Sequence, residues 1–394
     1  MFKKELPALQ KCVTIADLVE LGRNATDILQ QVRELILEPK PTKSPPTFTF
    51  SQICSLCDVE KTKAHYLANK HGLPKGKKKE SGRSSEYSLE EVYEYVKVIT
   101  GRHGRPKGKR GRIIAVCNYK GGVAKTGTVV PLAQALTLLG YRCLLIDADP
   151  QGSATQLLGV SPDIDVQEED TLMPLVFGDE KDLLYAAKPT YWPNLDLVPA
   201  CSDLLSAEFF IPAPAASGEK KRYQFWDIFN KGTEPLRDVY DVILIDTSPS
   251  LSYVTINSLM AADALIMPCP PDASDFASST QFWKIFADLG SKLPGVAETK
   301  TYDFIGILPT KVKDSRRDSM NVEVKRWMHM AYGAHMLPME IPDSSAASAA
   351  SNQYKTIYDL SKPDGSTDAY NRYKEPLDRL ARYVDEQLTN KWRA

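Results

Sequence analysis

The chain has 394 residues, 43% hydrophobic and 25% charged, with a formal net charge of −1. This is close to the globular average, and the length suits two or three domains whose cores need no disulfide or metal staple. No apolar run of roughly 18 residues is present, which excludes an apolar membrane-spanning helix; charges of both signs near the start argue against a secretory signal, and seven scattered Cys fit a reducing cytoplasm.

The net charge hides an asymmetry. Residues 61–112 hold 15 Lys or Arg against five Glu and no Asp, a block of +10, so the other 342 residues sum to −11. A concentrated basic block beside an acidic body points to a polyanion, nucleic acid first, with a solvated linker as the plain alternative.

In chain order, Val13, Leu18, Leu21, Ile28, Leu29, Val32, Leu35 and Ile36 recur at helical spacing and predict an amphipathic helix over 12–38. Pro39, Pro41, Pro45 and Pro46 end it in a stiff connector. Residues 1–46 read as a helical arm that packs on its own chain or on a second copy, with dimerisation its expected use.

Residues 47–100 read as a small helical domain. Ser51 is the expected N-cap of a first short helix, and a second runs from Lys61 to about His71, stopping at Gly72. A polar hairpin around Gly82-Arg83 follows, and Ser88-Leu89-Glu90-Glu91 forms a capping box that opens a third helix. Helix, turn, helix and basic wing is the order of a winged helix-turn-helix. It resembles the winged helix of MerR-type regulators, down to the Tyr87-Ser88-x-Glu90-Glu91-Val92 segment. Lys61, Lys63, Lys75, Lys77, Lys78, Lys79 and Arg83 are its candidate DNA contacts. Cys54 and Cys57, near His65 and His71, miss the zinc-finger spacing and sit where small core residues belong. Residues 101–112 are a basic, Gly-rich linker.

From Ile113 the texture changes. Apolar runs at 113–117, 143–147, 195–200, 242–246, 264–269, 304–308 and 336–341 alternate with helical patterns. Near-continuous apolar strands separated by helices predict an α/β fold, a doubly wound, mostly parallel sheet over 113–394.

The first strand runs into Asn118-Tyr119-Lys120-Gly121-Gly122-Val123-Ala124-Lys125-Thr126-Gly127. Strand, Gly-rich turn and helix start hold phosphate, because backbone N–H groups and a helix N-terminus point at the anion. Lys125 suits the β/γ-phosphate oxygens and Thr126 a Mg²⁺ ion. Tyr119 and Ala124 replace both glycines of the standard pattern G-x-x-x-x-G-K-[ST], and what remains is K-G-G-x-x-K-[ST]. Asp147-Ala148-Asp149-Pro150-Gln151-Gly152 stands at the end of the second strand, and Tyr240-Asp241-Val242-Ile243-Leu244-Ile245-Asp246-Thr247-Ser248-Pro249-Ser250 makes a third block with the helix that follows it.

These three blocks resemble ParA/MinD-type P-loop ATPases, and most of all the long ParA partition ATPases that carry an N-terminal DNA-binding domain. The resemblance spans roughly 113–390. It implies ATP and Mg²⁺ as cofactors, with Lys120, Gly121, Gly122, Val123, Ala124, Lys125, Thr126 and Gly127 around the phosphates. It implies Thr126, Asp147 and Asp246 near the metal, Asp149 orienting the attacking water, and the loops at Pro309 and Pro342 near the adenine. Lys120 corresponds to the family's signature lysine, which reaches the nucleotide of a partner subunit, so the expected active state is an ATP-dependent homodimer. The implied partners are a ParB-type centromere-binding protein, operator DNA through the winged helix, and non-specific DNA through basic residues such as Arg372 and Lys374. The expected setting is the cytoplasm, on the nucleoid. A nucleotide-switched transcriptional regulator without a transport role is the alternative.

Three positions depart from the family pattern. Ala124 stands for a glycine, so its peptide is expected to avoid positive φ. Gly127 stands for a side chain that contacts phosphate in relatives, and Pro131 falls in the second turn of the following helix. Leu377, Leu380, Ala381, Val384 and Leu388 align on one face of a C-terminal helix whose mixed polar face favours packing on the sheet over a membrane surface.

Overall fold

The computed structural model describes residues 13–36, 43–78, 85–213, 224–313, 319–361 and 366–393. They fall into two units, 1–43 and 44–394.

The first unit holds α1 (Ile15–Ile36), opened by Thr14 and Asp17, whose backbone N–H groups each bond the other's side chain at 2.7 and 3.2 Å. Its apolar residues Ile15, Leu18, Val19, Leu21 and Ile28 are exposed. Pro39 and Pro41 of the expected connector lie outside the described residues.

The second unit opens with β1 (Phe48–Thr49), α2 (Phe50–Leu56), α3 (Lys61–His71), β2 (Lys77–Lys78), β3 (Ser85–Tyr87) and α4 (Leu89–Thr100). Thr49, not Ser51, caps α2: Thr49 Oγ1 accepts from Gln52 N–H while the Gln52 side chain accepts from Thr49 N–H. That reciprocal box outcompetes Ser51, which has no such partner three residues on. Gly72 ends α3 in the left-handed region at φ 66°, and the Ser88–Glu91 box opens α4 as its sequence predicts. The three short strands form an antiparallel sheet in the order β1-β3-β2. Ile53, Leu89, Val92, Tyr95 and Val96 form the core beneath, with the Tyr87 and Tyr95 rings edge-on at 5.6 Å. Buried Cys54 and Cys57 belong to this core, and burial pushes the Cys57 thiol up to about 12. Among the described residues no group of three His, Cys, Asp or Glu could hold a metal ion.

A seven-stranded sheet follows: β4 (Arg112–Val116), β5 (Cys143–Ala148), β6 (Lys188–Pro189), β7 (Leu195–Val198), β8 (Val242–Thr247), β9 (Ala264–Cys269) and β10 (Phe304–Pro309), in the order β10-β9-β4-β8-β5-β7-β6. All pairs are parallel except the short β6–β7 edge. Helix α5 (Thr126–Leu138) covers one face and runs on through Pro131, which leaves the Gly127 carbonyl without its helical donor. The 336–341 run is not a strand. Leu337 N–H bonds the Ile307 carbonyl at 2.9 Å and Ile341 N–H the Pro309 carbonyl at 2.8 Å, so four residues span what two span on β10. The run bows off the edge around Pro338, leaving isolated bridges of Ile307 with Met336 and of Val312 with Pro342.

The C-terminal helix Thr367–Arg393 buries Leu377, Leu380, Ala381, Val384, Leu388 and Trp392 beside α5. No helix among the described residues is long and apolar enough to cross a membrane. The small helical module is docked on α5 and on the loop before β7. Tyr93 donates to the Pro193 carbonyl at 2.7 Å, with Thr137 Oγ1 of α5 3.2 Å from its hydroxyl. The basic 101–112 segment is also pinned: Arg102 pairs with Asp385 at 2.9 Å, Arg105 bonds the Arg237 and Asp238 carbonyls, and Trp392 Nε1 donates to the Arg110 carbonyl at 2.9 Å.

Candidate phosphate-binding site

The site forms where β4 leaves the sheet. Asn118 is buried and donates to the Pro268 carbonyl at 2.9 Å, while its Oδ1 accepts from Lys120 N–H at 3.1 Å, so the turn starts from a fixed point. Gly122 takes φ 75°, which costs glycine nothing. Ala124 takes φ 73°, against the expectation that its side chain forbids positive φ. Two hydroxyls hold it there. Thr310 Oγ1 donates to the Val123 carbonyl at 2.9 Å and Thr128 Oγ1 to the Ala124 carbonyl at 2.7 Å. Thr126 then starts α5, whose first N–H groups face the turn without helical acceptors.

The charged groups converge on this turn. Lys125 is buried, and its ammonium donates to the Lys120 carbonyl at 3.1 Å. Burial pulls its pKa down, opposed by Asp246 and Asp149. Asp246 lies on β8, in register with Val116 on one side and Asp147 on the other. Its Oδ2 accepts from Thr126 Oγ1 at 2.6 Å, and its Oδ1 is buried with no hydrogen-bond partner among the described residues. Burial, then the neighbouring Asp147, push the Asp246 carboxyl well above the usual range.

Asp147 is fully buried and saturated. One oxygen accepts from Thr155 N–H at 2.8 Å and Thr155 Oγ1 at 2.7 Å, and the other from Asp149 N–H at 3.2 Å. Burial lifts its pKa to about 6 against these bonds. Asp149 follows the strand end and accepts from Gln151 N–H at 3.0 Å. Lys120 is turned onto its own chain, 2.7 Å from Ser274 Oγ and 2.9 Å from Asp275 Oδ1.

The other expected residues are more dispersed. Gly121 faces Pro249, and Gly127 lies in the first turn of α5. Pro309 ends β10, and Pro342 meets Val312. Lys61 and Lys63 are exposed on α3, Lys77 and Lys78 on β2 and Lys75 between them, whereas Lys79 and Arg83 lie outside the described residues. Arg372 is exposed, but Lys374 is engaged by Asp378 at 2.7 Å and lies over the Tyr358 ring. Thr128, Ser274 and Asp275 are not apparent as site residues from spacing, and Asn118 and Thr310 are legible only as members of the turn and of the loop expected near the adenine, because each acts through a partner far away in sequence or on backbone.

A strand, a glycine-rich turn, a helix opening on Lys-Thr and a carboxylate on the adjacent strand define a P-loop domain. Residues 111–293 match the family model described as an AAA domain. The chain is 32% identical to protein SopA of Escherichia coli K12 over 279 residues, 69% of each chain. It is 32% identical to the chromosome partitioning protein ParA of Caulobacter vibrioides over 251 residues, 63% of this chain and 88% of that one. A solved structure titled Partition Protein shares the fold over 95% of this chain and 99% of its own, with a TM-score of 0.65 at 19% identity. The chain belongs to the ParA family of partition ATPases.

Proposed function

We propose that this chain is an ATP-hydrolysing DNA partition protein that separates plasmid or chromosome copies and works with Mg²⁺. The observation that carries the reading is the cluster of Lys125, Thr126 and Asp246 at the phosphate turn, with a buried Asp246 oxygen that no donor among the described residues satisfies. An unpaired carboxylate oxygen in a dry site is costly, and a divalent cation held by Asp246 and the Thr126 hydroxyl fits it. A bound cation supplies neutralisation of charge on the β- and γ-phosphate oxygens.

The protein groups do the rest. Lys125 exchanges the Lys120 carbonyl for phosphate oxygens, and the N–H groups of the turn receive the anion. Asp149 orients the attacking water, and Asp147 holds the loop that carries Asp149. Lys120 leaves Asp275 to reach the nucleotide of a second copy in an ATP-dependent homodimer. The loops at Pro309 and Pro342 border the adenine.

The organisation follows the same reading: an arm over 1–46 that contributes to dimerisation, a winged helix over 47–100, a basic linker over 101–112 and the ATPase domain over 113–394. The exposed lysines of α3 and β2 contact operator DNA and repress the protein's own operon, phosphate contacts fixing position and α3 reading bases. The ATP dimer binds nucleoid DNA without sequence preference, with Arg372 among its contacts, and a ParB-type partner releases it by stimulating hydrolysis. The working compartment is the cytoplasm.

A gel shift tests the DNA modes. The Lys61→Glu/Lys63→Glu variant is expected to lose preference for operator over random DNA while keeping ATP-dependent binding to random DNA. A variant that still prefers operator contradicts the winged-helix assignment.

A further inference from the structure

We propose that Thr310 and Thr128 are positioning residues that fix the phosphate turn in its anion-binding form. The inference rests on reading that turn as a triphosphate cradle.

Ala124 is the strained point of the turn. A non-glycine residue at φ 73° is strained and persists only where its surroundings over-determine it. The two peptides that flank its Cα are each held by a threonine. The Thr310 side chain is fully buried after β10, 187 residues away in sequence, and donates to the Val123 carbonyl. The Thr128 side chain, also buried, donates back to the Ala124 carbonyl from the first turn of α5. In a trans peptide the C=O and the following N–H point in opposite directions. Pulling the Val123 carbonyl toward Thr310 therefore aims the Ala124 N–H away from it. Pulling the Ala124 carbonyl toward Thr128 likewise aims the Lys125 N–H away from that bond. Among the described residues neither N–H donates to a protein acceptor. The two hydroxyls thus set two successive donors for an incoming anion and supply the constraint that an alanine, unlike a glycine, requires. Thr310 also ties the turn to the strand whose end borders the expected adenine side, so both ends of a nucleotide meet one fixed frame.

The test measures binding of a fluorescent ATP analogue with Mg²⁺, alongside thermal melting, for Thr310→Val, Thr310→Ser, Thr128→Ala and Lys125→Ala. Removing one donor to a buried carbonyl predicts about tenfold weaker binding for Thr310→Val and Thr128→Ala. Thr310→Ser keeps the hydroxyl and is expected within about twofold of the parent, a rescue that a role in packing alone does not give. If Thr310→Val does not fold, Thr128→Ala carries the test. Parental affinity in either Thr310→Val or Thr128→Ala, or a Thr310→Ser loss as large as that of Thr310→Val, overturns the proposal. Lys125→Ala separates the two readings. If it binds the analogue as the parent does, the cradle itself is misassigned, whereas its loss beside an unaffected Thr310→Val rejects the clamp alone.

Discussion

Lys120 and Asp275 form an ion pair 2.9 Å long within one chain, completed by Ser274 Oγ at 2.7 Å. Asp275 lies in the first turn of the Ala273–Gly290 helix, where a carboxylate is favoured by the helix N-terminus. The lysine assigned to a partner's nucleotide is therefore held at home. Its release has a cost, set by a pair that is only partly shielded from water.

Breaking that pair lowers the cost. Asp275→Ala is expected to strengthen ATP-dependent dimerisation by about two- to fivefold, the range of a partly exposed ion pair. Lys120→Ala is expected to abolish the ATP-specific dimer while sparing nucleotide binding by the monomer. Sedimentation velocity with a non-hydrolysable ATP analogue reads both. Weaker dimerisation in Asp275→Ala shows instead that Asp275 supports the dimer.

Ala124 predicts a stability effect of unusual sign. Replacing an alanine by glycine normally destabilises, but at φ 73° it removes strain. Ala124→Gly is expected to gain about 0.5–1 kcal/mol in urea unfolding, after allowing for the added freedom of the unfolded chain. Ala124→Val, branched at Cβ, is expected to lose more than about 1 kcal/mol. A loss on Ala124→Gly contradicts the strained geometry.

Lys300 sets a pH dependence away from the phosphate turn. Its ammonium donates to the Met260 and Ala262 carbonyls at 2.7 and 2.6 Å, and burial pulls its pKa from 10.5 to about 8 despite the nearby Asp263. Between those values the unfolded chain binds more protons than the native one, so this group's contribution to stability rises with pH across that window and is level below it. The stability of the parent relative to Lys300→Met is expected to increase from about pH 7.5 to about pH 10, other groups titrating alike in both. A flat difference contradicts the buried, depressed lysine.

Much of the architecture is written locally. Six of the seven apolar runs became sheet strands because each is a short, near-continuous apolar segment buried on both faces. The seventh, 336–341, is also apolar, but between its Leu337 and Ile341 bonds to β10 four residues span what two span on the strand, so it bows off the edge. A proline alone does not decide this, since β9 runs through Pro268. The Ser88–Glu91 box was legible because both partners lie three residues apart. The Thr49 cap was overlooked for Ser51, although Gln52 stood at the diagnostic spacing.

Lys125, Thr126, Asp147, Asp149 and Asp246 could be named from motif and strand ends, and the fold gathers them at one turn. Asp275 could not, and Thr310 could be placed only in the loop expected beside the adenine, because their partners lie 155 and 187 residues away and only the strand order brings them close. Ala124 departs from its expected negative φ for a related reason. Its intrinsic preference is local, but one hydroxyl bonded beside it comes from Thr310, just after β10.

The central claim is that this P-loop hydrolyses ATP through Lys125, Asp149 and Asp246. ATP turnover with Mg²⁺, DNA and the ParB-type partner tests it most directly, comparing the parent with Lys125→Ala and Asp149→Ala. The account predicts turnover in the parent, a loss of at least about 10²-fold in both variants, and analogue binding retained in Asp149→Ala but weakened in Lys125→Ala. Turnover at the parental rate in either variant contradicts it.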